Sequence, residues 1–192
     1  VEFGATAVMI EDYASEKEID LIVMGTKGAS GVREFLIGSN TEKVVRRVAC
    51  PVIAIKKHVR LADVKNIVFP NTLEQEQEDL VRHVKELQNL LEATLHVVWI
   101  NTPSAFIRDT ITWQRMNEFA KRFMLKNFTL NIFNDVFEEN GVINFAHHIK
   151  ADMIAMGTHG RKGLAHVLSG SVAEDVVNHV DCPIWTYTIK RK

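Results

Sequence analysis

The chain has 192 residues, of which 46 % are apolar and 24 % are charged, so it should bury a core and is not a disordered protein. Its 23 Lys and Arg residues are balanced by 24 Asp and Glu residues, which gives a formal net charge of -1. This balance disfavours a nucleic-acid partner. No apolar stretch approaches the roughly 20 residues of a membrane-spanning helix, so no membrane contact is expected either.

Three motifs follow one another in the first third of the chain. Asp20–Gly28 predicts a buried strand that ends in two glycines. Gly38–Val45 opens with Gly-Ser and predicts the start of a helix, and Cys50–Ile53 predicts a second strand after a Cys-Pro pair. Because the segment Lys57–Asp63 is polar and weakly patterned, we predict a first domain over residues 1–58 and a second over residues 62–192.

The rest of the chain alternates short apolar strands with amphipathic helices. Strands are predicted at Val64–Phe69, at Thr94–Ile100, around Phe128, Leu130 and Ile132, at Met153–Met156 and at Ile184–Ile189. Helices are predicted at Glu76–Leu91, Thr112–Leu125, Glu138–Lys150 and Ser171–His179. This alternation predicts an α/β fold with a doubly wound, five-stranded parallel sheet. With the strand order 3-2-1-4-5, ligands are expected at the carboxyl ends of strands 1 and 4.

The motifs of the first third recur at a constant distance of 132 residues. Gly25, Gly38 and Cys50 reappear as Gly157, Gly170 and Cys182. A duplicated domain explains such a long, gap-free offset better than a solenoid repeat does. The elements between residues 63 and 134 have no counterpart ahead of Val1. We therefore expect the first copy to be the C-terminal part of a domain, and the chain to be a fragment of a longer protein.

Each copy carries the pattern Gly-x-x-Gly, nine residues, then Gly-Ser. Glycines after a strand let the backbone approach an anion closely, and the free N–H groups of the helix that follows favour a phosphate. The pattern is neither a Walker A motif nor a dinucleotide fingerprint. The alternative is that these glycines only turn the chain and start a helix. The residues concerned are Gly25, Gly28, Gly38 and Ser39, and Gly157, Gly160, Gly170 and Ser171.

This series of strand, Gly-Thr-His-Gly, Gly-Ser, helix and Cys-Pro strand, with its duplication, resembles the universal stress protein family. Phe69-Pro70-Asn71 at the end of a strand also resembles the opening of that family. The resemblance implies an adenine nucleotide alpha hydrolase-like fold, a stress-response role and dimerisation, often through the last strand. The full glycine pattern implies the ATP-binding branch, with ATP bound with or without Mg²⁺.

The resemblance also implies which residues contact the nucleotide. Triphosphate contacts are implied for Gly157, His159, Gly160, Gly170, Ser171 and Val172, and by equivalence for Gly25, Gly28, Gly38, Ser39 and Asn40. Adenine and ribose contacts are implied for Pro70, Asn71 and Thr72, and for Ile100 and Asn101. The family usually has an acidic residue at the place of Thr72, so nucleoside binding by the second copy is open. The first copy lacks the strands that would hold a nucleoside.

Other residues carry weaker indications. His159 either donates to phosphate or is a plain loop residue, and the adjacent His147 and His148 point in different directions, so no metal site is expected. Cys50 and Cys182 precede apolar runs and favour inert, reduced thiols, which, with no secretory leader apparent, indicates a cytoplasmic protein. No nucleophile or general base has a supporting spacing, so no enzyme is predicted, although slow ATP hydrolysis stays open.

Three functions remain in competition at this point. The first is an ATP-binding, stress-response regulatory protein that acts as a homodimer or through partner contacts. The second is a non-nucleotide, dimerising interaction protein whose glycine loop is a relic. The third, a phosphotransferase or nucleotidyl-transferring enzyme, is disfavoured because no base or metal-binding carboxylates are positioned for it. The intact glycine loops favour the first function, and Thr72 favours the second.

Overall fold

A computed structural model describes residues 6–25, 39–74, 77–159, 176 and 180–189. In chain order the helices are α1 (Thr6–Glu16), α2 (Ser39–Arg47), α3 (Glu78–Leu91), α4 (Asp109–Arg122) and α5 (Glu138–His148). The strands are β1 (Ile22–Gly25), β2 (Val52–Ile55), β3 (Asn66–Pro70), β4 (Thr94–Asn101), β5 (Phe128–Asn134), β6 (Met153–His159) and β7 (Ile184–Ile189). Among these described elements, no helix has the length and apolar character that crossing a membrane requires.

The described residues form two compact units. One comprises residues 1–59 with 157–192, and its core includes Ala7 of α1, Val44 and Val45 of α2, Val48 directly after α2, and Val52 of β2. The other comprises residues 60–156, and its α3 buries a stripe of Leu and Val residues at helical spacing. The predicted domain division at residues 58–62 stays a prediction.

The strands belong to one mostly parallel sheet, which corrects the predicted five-stranded sheet. It has seven strands in the order β1-β2-β7-β6-β3-β4-β5, because the two strands of the first copy are added beside β7. The pairs β1–β2, β3–β4, β3–β6 and β4–β5 are parallel, whereas β2–β7 is antiparallel. The α/β class is confirmed, and the sheet is larger than one copy of the repeat.

The β2–β7 pairing is symmetric in terms of the repeat. Ile53 lies opposite Trp185, its own counterpart 132 residues later. On either side, Val52 faces Thr186 and Ala54 faces Ile184, so each contact has a mirror contact between equivalent residues. The last strands of the two copies therefore meet as two subunits would across a two-fold axis. Thr186 strengthens the pair by donating from Oγ1 to the Val52 carbonyl at 3.3 Å.

Most predicted elements are present, with shifted ends. The helix predicted from Thr112 begins at Asp109, because the N–H groups of Ile111 and Thr112 both donate to the Arg108 carbonyl. It ends earlier than predicted, where Met124 takes a positive φ of 48° and the Leu125 N–H donates back to the Ala120 carbonyl. The predicted helix Ser171–His179 lies outside the described residues, apart from the helical Val176.

A polar network joins three strands of the second unit near their amino ends. The His96 ring lies between Asn66 Oδ1, 3.2 Å from Nε2, and Thr129 Oγ1, 2.8 Å from Nδ1. Asn66 Nδ2 donates to Asp152 Oδ2 at 3.1 Å, so Asn66 Oδ1 is the acceptor. His96 therefore carries its proton on Nε2 and accepts from the Thr129 hydroxyl at Nδ1, which is a neutral tautomer.

Stability should decrease in mild acid because of His96. Burial lowers the pKa of His96 below its ordinary value of 6.5, so the unfolded chain takes up the proton at a higher pH than the folded chain. This contribution is complete above about pH 6.5 and is lost as the pH falls from that value through the lower pKa of the folded chain. Urea unfolding as a function of pH measures it. His96→Gln should flatten the dependence, whereas His148→Gln, at an exposed position of α5, should leave it unchanged.

Gly141→Ala should destabilise the protein, although replacing a helical glycine by alanine is usually stabilising. A Cβ at Gly141 would collide with Cγ2 of Ile100 in β4 and lie 3.2 Å from Cβ of Asp135. We expect a loss of about 1–3 kcal/mol in the free energy of unfolding, measured in urea. Asn140→Ala, at the exposed neighbouring position, is the matched control and should be neutral or stabilising. Equal effects of the two changes would contradict the close packing of α5 on β4.

Candidate functional site

The first predicted nucleoside segment follows β3, at the carboxyl end of the parallel strands. The N–H of Asn71 continues the pairing to β4 by donating to the Val98 carbonyl at 3.1 Å. Asn71 Oδ1 then accepts from the N–H of Leu73 at 2.7 Å, which closes a tight turn with Leu73 at a φ of 57°. Asn71 is 9 % exposed, whereas Thr72 at the tip of the turn is exposed. Of these residues, Thr72 is the one presented to solvent.

The side chain of Gln77 holds this turn in place through hydrogen bonds. Gln77 was not predicted as a site residue. Its Oε1 accepts from Asn71 Nδ2 at 2.6 Å, and its Nε2 donates to Thr72 Oγ1 at 3.3 Å. Gln77 is 5 % exposed and stands at the N-cap of α3, where its side chain makes no capping hydrogen bond. The side chain instead holds the Asn71–Thr72 turn. A single glutamine before an acidic helix start gives no sequence signal for that role.

The second predicted nucleoside segment ends β4, but it faces β5 rather than β3. Pro70 lies opposite Val98, whereas Asn101, three residues further along β4, lies opposite Asn134. Asn101 is 3 % exposed, and its Oδ1 accepts from the N–H of Ile107 at 3.0 Å. The structure thus brings Pro70, Asn71 and Thr72 together in one turn, whereas Asn101 lies three residues beyond the last β3–β4 pair and pairs with Asn134 of β5.

The glycine segment of the second copy is only partly described. The predicted strand end at Met156 is wrong, because β6 continues through Gly157 to His159. Thr158 explains the extension: its Oγ1 lies 3.4 Å from the carbonyl of Tyr187 and 3.1 Å from Thr188 Oγ1, both in β7. Gly157 is therefore a half-buried strand residue rather than the first residue of a loop. The predicted contacts Gly160, Gly170, Ser171 and Val172 lie outside the described residues.

In the first copy, the start of helix α2 contacts the end of strand β1. Gly25 is the last residue of β1, and α2 begins at Ser39, as predicted. Thr41 in the first turn of α2 is 2 % exposed and donates from Oγ1 to the carbonyl of Gly25 at 3.4 Å. Asn40 is exposed beside it. Gly28 and Gly38, which were also predicted as contacts, lie outside the described residues.

The described residues leave room at the end of β1. A Cβ placed on Gly25 would meet none of their atoms within 4 Å. The amino end of α2, with the partial positive charge of a helix start, is held against the same strand end through Thr41. This arrangement offers the chemistry that phosphate oxygens need, a helix start beside a glycine backbone.

The two cysteines and the histidine pair carry no indication of catalysis or metal binding. Burial raises the pKa of Cys50, so its thiol stays protonated and unreactive at neutral pH. Cys50 and Cys182 do not form a disulfide with each other. His147 and His148 are exposed on α5. Within the described part of the chain, no group of His, Cys, Asp and Glu side chains converges as metal ligands would.

A mostly parallel α/β sheet with strand ends, a glycine and a helix start at its carboxyl edge belongs to the class of open α/β folds, in which ligands bind at that edge. The family model for the universal stress protein family matches residues 1–56 and 137–187, more than half of the chain. The protein therefore belongs to the universal stress protein family.

Individual relatives agree with this assignment. A universal stress protein of Methanocaldococcus jannaschii is 27 % identical over 135 residues, which cover 62 % of this chain and 79 % of the relative. Other curated relatives match over 34 to 48 % of their own length. A solved universal stress protein of Archaeoglobus fulgidus has a TM-score of 0.75 at 19 % identity and covers 95 % of this chain, which spans 66 % of that protein.

A second solved structure, a universal stress protein in complex with cAMP, has a TM-score of 0.52 at 16 % identity. It covers 67 % of this chain, and the match spans 98 % of its own length. At these identities the solved structures establish the fold alone.

Gln77→Ala should destabilise the protein, because Asn71 Nδ2 would lose its acceptor in a buried position. A loss of about 1–3 kcal/mol in the free energy of unfolding is expected, measured by urea denaturation. Gln77→Glu should cost less, because a carboxylate still accepts from Asn71. Gln114→Ala, at an exposed position of α4, is the control. If Gln77→Ala were as stable as the control, the Asn71–Gln77 bond would contribute nothing to the turn.

Proposed function

We propose that this protein is a nucleotide-binding regulatory protein of the stress response, with ATP as its ligand and with tandem copies of the universal stress domain. The triphosphate would lie on the Gly157–Gly160 and Gly170–Ser171 segments of the second copy, and the nucleoside near Thr72. We further propose that it works in the cytoplasm by binding rather than by catalysis.

The observation that carries this proposal is the contact between β1 and α2 in the first copy. Thr41 holds the amino end of a nine-residue helix against the carbonyl of Gly25, and no described atom lies within 4 Å of a Cβ placed on Gly25. The second copy has the same sequence motif at a constant offset, and we propose that it binds phosphate in the same way. The solved relative in complex with cAMP supports an adenine nucleotide as the ligand class.

Mg²⁺, if bound, would enter with the nucleotide. The described residues hold no cluster of carboxylates, imidazoles or thiols that could bind the ion by itself. A triphosphate supplies oxygen ligands of the kind that Mg²⁺ prefers, and the ion usually keeps several waters. A nucleotide-borne ion is therefore the form that we propose.

Dimerisation or contacts with a partner protein would communicate whether a nucleotide is bound. The last strand, through which the family often dimerises, already pairs with β2 of the same chain. A homodimer of this chain would thus need a surface other than that edge of β7. Partner contacts remain the simpler route for signal transmission.

A second function is favoured by the turn after β3. The side-chain amides of Asn71 and Gln77 form hydrogen bonds with each other and with the turn. Thr72 supplies no carboxylate at the position where the family usually has an acidic residue. A protein that no longer binds a nucleoside could keep this turn as a structural element. The alternative is therefore a non-nucleotide, dimerising interaction protein with a relic glycine loop.

Isothermal titration calorimetry with ATP and with cAMP separates the two functions. We expect ATP to bind, and Gly160→Val to abolish binding because the added side chain would occupy the space of the phosphate. Gly28→Val is the matched control at the equivalent place in the incomplete copy, and it should leave the affinity within about threefold. Thr72→Asp should tighten ATP binding by restoring the family's acidic residue.

Two results would contradict nucleotide binding. One is the absence of heat at millimolar ATP in a sample whose circular dichroism shows a folded protein. The other is equal ATP affinity of the wild type and Gly160→Val. Either result would favour the interaction protein.

A further inference from the structure

A depression of about 910 Å³ lies between the chain segments that leave β4 and β5. Its volume is in the range of small-molecule sites. β4 and β5 stay paired up to the Asp135 N–H, which donates to the Asn101 carbonyl at 3.2 Å, and the two segments then separate. The residues that line it are Asn101, Thr102, Pro103, Phe106, Arg108, Asp109, Asn134, Asp135 and Val136.

Asn101 brings an unused hydrogen-bond donor to this depression. Its side chain is 3 % exposed, and Oδ1 is fixed as an acceptor by the N–H of Ile107. Nδ2 is buried and has no acceptor among the described residues. Buried amide donors are nearly always paired, so this nitrogen is an exception that a ligand oxygen would resolve. Because Ile107 binds the same carboxamide, ligand binding there would be coupled to the Thr102–Arg108 segment.

The amino end of α4 provides a second, independent set of donors. The helix has 14 residues, and Arg108 at its N-cap makes no side-chain capping bond. The N–H groups of Asp109 and Thr110 in its first turn have no partner within the helix, and the helix dipole makes this end favourable for an anion. No side chain in the described part of the chain pairs with the exposed Arg108 guanidinium, which can hold a carboxylate with two parallel bonds.

Apolar groups form the rest of the wall. Phe106 is 66 % exposed and Val136 is 62 % exposed, which is unusual for large apolar side chains in one small area. A ligand made only of charged oxygens would leave these side chains in water. An apolar or aromatic body on the ligand would cover them.

The two acidic residues of the wall differ in availability. Asp135 is occupied, since its Oδ1 accepts from the Val136 N–H at 2.7 Å and its Oδ2 accepts from Asn144 Nδ2 at 2.8 Å. Asp109 has no partner among the described residues and stands in the first turn of α4. The hydrogen bonds of Asp135 come from neutral groups and do not remove its negative charge, so both carboxylates would weaken the binding of an anion beside Arg108.

We propose that this depression binds a small organic carboxylate with an apolar or aromatic body. The carboxylate pairs with Arg108 and the amino end of α4, and one of its oxygens accepts from Asn101 Nδ2. The body covers Phe106 and Val136. This site is separate from the proposed phosphate segment, and its ligand contains neither phosphate nor nucleobase, so its test can fail while nucleotide binding holds.

Calorimetry with 3-phenylpropionate as the probe tests the proposal. We expect the probe to bind in the millimolar range or better. Acetate, which lacks the body, and 3-phenylpropan-1-ol, which lacks the charge, should each bind at least about tenfold more weakly. Hydrogen exchange should show slower exchange of the Ile107 amide when the probe is bound, because Asn101 joins that amide to the site.

Variants separate this site from general binding of anions to the surface. Arg108→Gln should raise the Kd for the probe about tenfold, and Asp109→Asn should lower it by removing the repulsion. Arg115→Gln, at an exposed position of the same helix outside the depression, is the matched control and should leave the Kd unchanged. Asn101→Asp should abolish binding, and because a buried charge can impair folding, Arg108→Gln decides the outcome in that case.

Three results would overturn the proposal. They are an absence of probe binding at about 20 mM in a folded sample, equal effects of Arg108→Gln and Arg115→Gln, and displacement of the probe by ATP. The last would assign the depression to the nucleotide. The proposal would be supported if Asp109→Asn lowered the Kd for the probe and if ATP left the Kd for the probe unchanged.

Discussion

Parallel strand pairing is the constraint on which the rest of this structure depends. Because β3, β4 and β5 run in the same direction, their carboxyl ends share one edge, and the chain must leave each strand there through a connecting segment. The turn at Asn71, the segment after Asn101 and the Asp135 corner are all products of that geometry. Polar groups at this edge cannot continue the ladder, so they find partners in the turns or remain available to ligands.

The antiparallel β2–β7 pair has a different origin. Two equivalent strands from a duplicated sequence can pair about a local two-fold axis, and the register centred on Ile53 and Trp185 has that symmetry. The chain thereby satisfies within itself the backbone groups of a strand edge that would otherwise attract another strand. The edge of β7 that faces β2 is therefore already paired within the chain.

The candidate site shows where sequence reasoning succeeds and fails. Strand ends at Pro70 and Asn101 and the helix start at Ser39 were predictable within one residue, because apolar runs and Gly-Ser signals are local. The role of Gln77 was not, since it depends on a side chain reaching back over the turn to Asn71. The length of β6 was also missed, because Thr158 is held by β7, 30 residues away along the chain.

The sequence by itself determined the α/β class, the alternation of strands and helices and the motif repeated after 132 residues, because periodicity and repeats are properties of neighbouring residues or of a fixed offset. Only the tertiary structure decided that seven strands share one sheet and that Asn101 pairs with Asn134 of β5. It also decided which polar groups of the described residues are left without a partner. Those outcomes depend on pairing between segments that are distant in the chain. Hydrogen bonds between such segments produce no periodic pattern in the sequence.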